Sequence, residues 1–208
     1  MSTLIEGELV RLRRFERGDA EVYRGFVNDP EIAHRVDRAG MVTAEEHAVW
    51  YDALVTSEHA DVFAVDEKAA GTFIGLVWLY GIEPRHARAE VRIVLGKSHG
   101  RGCGTEALRL LVDHAFSTRA FAKLWADVLA FNEAAARAFE KAGFVREGLL
   151  RSDRFVADVR TFHVGFRIRC PAFFPPSPLL SGIQEIADAV GFDLRGGKAA
   201  ASALFCGS

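Results

Sequence analysis

The sequence predicts an α+β domain, in which helices pack on one mixed or antiparallel sheet. Segments in which apolar and polar residues alternate, as in strands, occur in both halves of the chain. Between them lie segments whose apolar residues recur every three or four positions, as in helices. Short polar turns join two pairs of strand-like segments and predict hairpins. This combination is typical of an α+β fold.

Composition limits the possible classes of protein. The chain has 208 residues, of which 50% are hydrophobic and 26% charged, which suits one soluble domain with an appendage. A net charge of −2 gives no reason to expect nucleic acid or an anionic membrane as a partner. We expect no spanning helix and no secretory signal. The three widely spaced cysteines, Cys103, Cys170 and Cys206, fit a reducing cytoplasm.

The first third of the chain carries signals for one strand and two helices. Val10 and Leu12 alternate with arginines and predict an opening strand. Asp19 is predicted to cap the helix that follows. Thr43 and Glu46 form a capping box, in which each side chain satisfies a free backbone N–H, and predict a second helix.

The middle of the chain predicts three strands. Residues 61–67 and 71–82 are rich in β-formers and are joined by a polar turn, so they predict a hairpin. Residues 87–96 form the next strand, with Glu90 and Arg92 on the face opposite its apolar side chains. Those apolar side chains are Ala89, Val91, Ile93 and Leu95.

From Gly104 the pattern becomes helical, and a second helix is predicted to start at Asn132. The remaining strands are predicted at 122–130, 144–150 and 160–168. The domain is predicted to span 1–169. Residues 170–208 open with four of the six prolines and predict a linker, a short amphipathic helix and a flexible end.

The segment HGRGCGTEAL, residues 99–108, places three glycines between a strand and a helix. A helix N-terminus offers unpaired N–H groups and partial positive charge, and glycines let an anion approach closely. The segment therefore predicts a pyrophosphate cradle, although a glycine-rich turn without ligand fits equally well. The glycine spacing excludes the dinucleotide fingerprint, and the missing lysine excludes a P-loop.

Four ordered segments carry a family resemblance. AEVRIVLG, HGRGCGTEAL, LWADVLAFN and NEAAARAFEKAGF resemble the GNAT N-acetyltransferase superfamily, and within it the ribosomal-protein (RimJ/RimL-type) branch. The resemblance spans about residues 6–168. It implies a mixed, mostly antiparallel sheet of six or seven strands, flanked by helices and splayed open where acetyl-CoA binds.

The resemblance also implies the residues that bind acetyl-CoA. Backbone groups of Ile93, Val94 and Leu95 would contact the pantetheine arm. N–H groups of the loop would bind the pyrophosphate, and Asn132 would hydrogen-bond the cofactor while starting its helix. The loop residues concerned are His99, Arg101, Gly102, Cys103, Gly104 and Thr105. His99 stands where the family usually has Gln or Arg, and Phe139 stands where many relatives have a tyrosine acid.

The expected reaction is attack of a neutral primary amine on the thioester. Glu90 is predicted to be the general base, directly or through a water, and the alternative is an ion pair with Arg92 or a neighbouring arginine. A main-chain N–H of Val94 or Leu95 would hold the oxyanion. Cys103 is interpreted as a small side chain, and no histidine spacing indicates a metal.

The sequence thus predicts a cytoplasmic, acetyl-CoA-dependent N-acetyltransferase without a metal. The acceptor stays open among a protein α-amine, an amino acid, a polyamine, an amino sugar and an aminoglycoside. The alternative is a non-catalytic acyl-CoA-binding module or an interaction protein that uses its C-terminal tail. The tail could also contact a second subunit, so a homodimer is among the expected assemblies.

Overall fold

The computed structural model describes residues 4–36, 38, 40–96, 101–156 and 159–170, with backbone alone for 151–161. The strands are β1 (Ile5–Glu6), β2 (Val10–Arg14), β3 (Ala60–Glu67), β4 (Thr72–Glu83), β5 (Arg88–Leu95), β6 (Lys123–Leu129), β7 (Val145–Val156) and β8 (Val159–Arg169). The helices are α1 (Arg17–Val27), α2 (Pro30–Arg35), α3 (Ala44–Val55), α4 (Cys103–Thr118) and α5 (Glu133–Lys141), with a 3₁₀ turn at Pro84–His86.

The described strands form one sheet in the order β1-β2-β3-β4-β5-β6-β8-β7. Every neighbouring pair is antiparallel except β5 and β6, which are parallel. The α+β class and the mostly antiparallel sheet are therefore confirmed. The sheet has eight strands instead of six or seven because β1 adds an edge strand. Two residues are too few to show an alternating pattern.

Among the first three helices, the start of one agrees with the sequence, and the starts of the other two differ. Thr43 and Glu46 form the predicted capping box of α3. Asp19 is not the cap of α1, because Glu16 caps it and Asp19 completes its capping box. Helix α2 was not predicted, although Asp29 caps it and Pro30 occupies its first position. Its six residues are too short for helical periodicity to be visible.

The two faces of the sheet are covered by different helices. On one face, Val77 and Val91 pack with buried residues of α4 such as Leu111. On the other face, Leu76 and Trp78 pack with aromatic side chains carried by or near α1 and α3. Because both faces are covered, the central strands β4 and β5 are held firmly, and they can position a site between them and the helices.

The sheet splays open between β5 and β6. These two strands pair only from Arg88 with Lys123 to Glu90 with Trp125. Beyond Glu90, β5 continues along β4 as far as Leu95, whereas β6 continues along β8. The backbone of β5 after Glu90 therefore faces an opening in place of a neighbouring strand.

Glu106 ties helix α4 to the start of β2. Its carboxylate accepts hydrogen bonds from the backbone N–H groups of Glu8 at 2.9 Å and of Leu9 and Val10 at 2.7 Å each. Glu106→Gln keeps the size but leaves one acceptor oxygen for three donors. We expect the free energy of unfolding, measured with urea, to fall by about 2 kcal/mol.

Glu133→Gln is the matched control, because Glu133 is also a glutamate in the first turn of a helix. It is exposed and, among the described residues, pairs with Arg137 one turn later, so we expect a loss of less than about 0.5 kcal/mol. Equal losses in the two variants would show that the backbone contacts of Glu106 do not stabilise the fold.

Candidate active site

The opening between β5 and α5 is a cleft of about 440 Å³. Several residues predicted to bind the cofactor line it: Ile93, Val94, Leu95, Gly102, Gly104, Thr105 and Asn132. Arg137 and Lys141, on α5, also line it, and these two cationic side chains were not predicted. The sequence therefore identified one wall of the cleft and the start of α4, but not the cationic side chains on α5.

The N-terminus of α4 has the features of an anion cradle. Gly102 caps the helix with φ +86°, a left-handed conformation that favours glycine, and no side chain among the described residues caps the helix. The N–H groups of the first turn have no acceptor within the helix. A Cβ on Gly104 would approach no atom closer than Leu95 Cδ1, at 3.5 Å, so the space above the first turn is open. These residues fit a pyrophosphate.

Arg101 and Cys103 belong to the same loop, but their side chains do not line the cleft. Arg101 Nη1 pairs with Glu67 Oε1 at 3.2 Å, and the Glu67 side chain is nearly buried. The Cys103 thiol lies 3.9 Å from the same oxygen. Burial and the Glu67 carboxylate raise the pKa of the Cys103 thiol, which keeps it protonated at neutral pH. His99 lies outside the described residues.

Asn132 caps α5 as predicted. Its Oδ1 accepts a hydrogen bond from the Ala135 N–H at 3.2 Å. Its Nδ2 donates to the Arg35 carbonyl, also at 3.2 Å, and so joins α2 to α5. Asn132 lines the cleft with its amide already engaged at both ends, so it positions two helices around the opening.

A second pocket, of about 380 Å³, lies on the sheet face that α1 and α3 cover. Ile93 and Val94 line both this pocket and the cleft, so the two cavities meet at β5. The wall of the pocket carries aromatic and ionisable side chains: Tyr23, His47, Trp50, Trp78, Glu90, Arg92, Trp125, Asp127, Phe139 and His163. A compound in this pocket would lie next to a group held in the cleft.

Glu90 lies in this pocket and forms an ion pair. Arg92 Nε lies 2.7 Å from Glu90 Oε1, and Arg92 Nη2 lies 3.0 Å from Oε2. The Arg92 guanidinium also stacks on the Tyr80 ring, 4.2 Å from its centroid. The ion pair that the sequence left as an alternative is therefore present. Arg92 therefore engages both carboxylate oxygens of Glu90.

His47, on α3, is a buried polar side chain of the same pocket. It is 4% exposed, and its Nε2 has no hydrogen-bond partner among the described residues. Its ring lies 4.9 Å from Trp50 and 5.9 Å from Tyr23, between centroids. Burial lowers the pKa of His47, as do the charges of Arg24 and Arg38, so the imidazole is neutral near pH 7.

The lowered pKa of His47 predicts a pH dependence of stability. Below about pH 6.5 the unfolded chain protonates this histidine while the folded protein still holds it neutral. Because the unfolded state then binds more protons, stability decreases as the pH falls through this window. We expect His47→Gln to flatten the decrease in melting temperature between pH 7.5 and 5.5. His86→Gln, at an exposed histidine, should leave it unchanged, and identical slopes in all three proteins would contradict the interpretation.

Sequence reasoning missed most of the second pocket. In the adjacent pair Trp50–Tyr51, Tyr51 is buried against Phe15, while Trp50 lines the pocket. Trp78 and Trp125 come from separate strands, so no local spacing links them. Phe139 is buried against Phe144 and Phe166, and it provides no hydroxyl group to the pocket.

In the described part of the chain, no helix is long and apolar enough to cross a membrane. Within the same residues, no three His, Cys, Asp or Glu side chains gather as a metal site would require. The described cysteines, Cys103 and Cys170, are free and buried.

Comparison with known proteins agrees with this geometry. Over 146 residues the chain is 28% identical to a spermidine N(1)-acetyltransferase of Vibrio cholerae, covering 70% of this chain and 84% of that protein. An uncharacterized N-acetyltransferase, p20, of Bacillus licheniformis is 27% identical over 148 residues, 69% of this chain and 83% of its own. The crystal structure of the Vibrio cholerae spermidine N-acetyltransferase with CoA and spermine superposes with a TM-score of 0.73 at 25% identity, covering 78% and 96% of the two chains.

A splayed sheet, with a helix N-terminus open to an anion in the opening and a second pocket beside it, suits an acyl-group transferase that takes its acyl group from a phosphate-bearing cofactor. The family model described as an acetyltransferase (GNAT) domain matches residues 10–145, and the chain belongs to this family. The protein is an N-acetyltransferase that transfers an acetyl group to an amine.

Proposed function

We propose that acetyl-CoA binds in the cleft between β5 and α5, and that the amine enters the second pocket. The meeting of the two cavities at Ile93 and Val94 carries this proposal. Acetyl-CoA supplies the acyl group as a thioester. The amine nitrogen forms a bond to the acyl carbon, the carbon–sulfur bond breaks, and the proton of the amine leaves so that an amide and a thiol result. The protein belongs, in this proposal, to the RimJ/RimL-type branch and acts in the cytoplasm without a metal.

The cradle binds the pyrophosphate through the first-turn N–H groups of α4. Those of Cys103, Gly104 and Thr105 have no acceptor within the helix, and the helix dipole adds partial positive charge. Arg137 and Lys141 add full positive charge on the opposite wall. The cofactor is an anion with several phosphate groups, so this distribution of charge favours it.

The pairing of β4 with β5 selects which backbone groups face the opening. Gly96 N–H donates to the Ile74 carbonyl at 2.7 Å. In an antiparallel pair of strands, every second residue directs its N–H toward the partner strand. Val94 lies two residues before Gly96, so its N–H also points toward β4. Ile93 and Leu95 then direct theirs into the opening. Of the two predicted oxyanion donors we therefore favour Leu95 over Val94, with Ile93 contacting the pantetheine arm.

The activity is tested by incubating the protein with acetyl-CoA and a panel of amines while the released thiol is detected. We expect turnover with at least one primary amine. Binding of acetyl-CoA without turnover on any amine would favour the alternative, a non-catalytic acyl-CoA-binding module of the same fold. Mass spectrometry of the product distinguishes transfer to an amine from simple hydrolysis of acetyl-CoA. Only transfer makes the amine heavier, by about 42 mass units, because an acetyl group replaces one hydrogen.

The C-terminal segment is proposed to be dispensable for the fold. Residues 171–208 lie outside the described residues, whereas Cys170 is buried and its N–H donates to the Ala122 carbonyl at 2.9 Å. A chain that ends at Cys170 keeps this contact. We expect it to stay soluble, to melt within a few degrees of the full chain, and to bind acetyl-CoA with unchanged affinity by calorimetry. Aggregation of the shortened chain would show that the segment completes the core.

A further inference from the structure

All three tryptophans of the chain line the second pocket. They come from three different elements: Trp50 from α3, Trp78 from β4 and Trp125 from β6. The Trp50 ring stacks on Tyr23, with the ring planes 14° apart and the centroids separated by 5.5 Å. Flat apolar surfaces converging on one cavity favour a flat apolar ligand, since aromatic rings stack on one another.

The charges in the same pocket disfavour a polycation. Among the described residues, two carboxylates line it, Glu90 and Asp127, against three guanidinium groups, Arg35, Arg38 and Arg92. Arg92 engages both oxygens of Glu90. A linear polyamine carries several ammonium groups at neutral pH, and each of them needs a carboxylate or a cation–π contact to replace water. The wall has no surplus of negative charge, so a polyamine would depend on cation–π contacts with the aromatic rings for its several ammonium groups.

His47 supplies the pocket with a polar atom that no described residue satisfies. Its Nε2 is buried and has no hydrogen-bond partner among the described residues, so it is available to a ligand in the pocket, as an acceptor in the tautomer protonated at Nδ1. A neutral imidazole nitrogen accepts a hydrogen bond from an N–H group. The pocket therefore combines flat apolar walls with a buried imidazole nitrogen that no described residue contacts by a hydrogen bond.

We propose that the acceptor is an arylalkylamine: a compound with one primary amine and one aromatic ring, with the ring held against the tryptophans and an N–H donated to His47. The inference rests on the proposed function, because it places the acetyl acceptor in this pocket. The proposed acceptor differs from spermidine, for which some of the relatives are named.

Steady-state kinetics at saturating acetyl-CoA test the choice of acceptor. The panel consists of phenethylamine, butylamine and spermidine, which share a primary amine and differ in ring and charge. We expect kcat/KM for phenethylamine to exceed that for each of the other two on the order of tenfold. An equal or higher value for spermidine, or an equal value for butylamine, overturns the proposal while leaving the acetyltransferase activity established.

Binding measured without turnover separates this inference from the proposed function. Because every tryptophan lines the pocket, tryptophan fluorescence in the presence of CoA reports its occupancy directly. Saturable quenching by phenethylamine, with a Kd about tenfold below that of spermidine, supports the aromatic site even if no amine is acetylated. In that case the proposed function fails and the binding site stands. No difference between the two amines overturns the site.

Variants of the walls provide the final test. Trp50→Ala and Trp125→Ala should each raise KM for phenethylamine on the order of tenfold, with kcat and the KM for acetyl-CoA nearly unchanged. Trp50→Phe keeps a flat ring at a position packed on Phe15 and should restore most of the affinity. Val49→Ala, on the same helix but 71% exposed, is the control and should change nothing. An unchanged KM in either folded alanine variant overturns the role of that tryptophan, and in both it overturns the proposal.

Discussion

Gly104→Asp should weaken acetyl-CoA binding about a hundredfold while the protein remains folded. Gly104 lies in the first turn of α4, where the pyrophosphate is proposed to bind, and its Cβ direction is open. A carboxylate there repels the phosphates and occupies the first-turn N–H groups. We expect the Kd, measured by calorimetry, to rise by about two orders of magnitude, equivalent to about 2.7 kcal/mol.

The same substitution should leave stability unchanged or raise it slightly. A negative charge in the first turn interacts favourably with the helix dipole, by about 0.3–1 kcal/mol. A misfolded variant would lose both stability and affinity for acetyl-CoA, whereas we expect this variant to lose affinity alone. Thermal denaturation of the same sample distinguishes the two outcomes.

Gly104→Ala is the matched control, because it adds the Cβ without the charge. That Cβ meets Leu95 Cδ1 at 3.5 Å, an ordinary van der Waals contact, so we expect a change in Kd of less than about fivefold. Gly102→Ala differs, since Gly102 has φ +86°, and it should lower stability by about 1 kcal/mol. If the aspartate and alanine variants at position 104 bind equally well, the anion cradle is not at α4.

The fold was predictable wherever a local pattern decides it. Strand β5 shows this best: Ala89 and Val91 are buried, as their alternation with Glu90 predicts. Ile93 and Leu95 continue the same alternation but are only partly buried. The reason is that the sheet opens beyond Glu90, and the position of β6 relative to β5 is a tertiary property that no local pattern contains.

In the candidate site, too, some features are visible in a short stretch of sequence, and others depend on the tertiary structure. The glycines before α4 and the cap at Asn132 are local signals, and both were identified from the sequence. The second pocket brings together side chains from α1, α3, β4, β5 and β6. Trp78 and Trp125 are each unremarkable within their own strands. They become neighbours of one cavity only when the strands on either side of β5 are in place.

Glu90→Gln is expected to lower kcat by about 10²–10⁴-fold if Glu90 is the general base. The substitution keeps the size of the side chain and removes its ability to accept a proton from the amine, directly or through a water. The loss should be smaller at high pH, where more of the amine is already neutral. The measurement is kcat between pH 6.5 and 9 on an acceptor that the panel has identified.

The ion pair with Arg92 provides the control that separates a base from a structural residue. Arg92 holds both oxygens of Glu90, so Arg92→Met releases the carboxylate while keeping a long side chain beside Tyr80. If Glu90 only pairs with Arg92, the two single variants and the double variant should all keep near-normal kcat, because each removes one partly exposed ion pair, worth about 0–1 kcal/mol of stability and nothing to the rate. If Glu90 is the base, Arg92→Met retains most of kcat, since the proton acceptor is still present, whereas the double variant falls to the level of Glu90→Gln alone. Near-normal kcat for Glu90→Gln across the whole pH range would exclude Glu90 as the base, and deprotonation by solvent would then be the route.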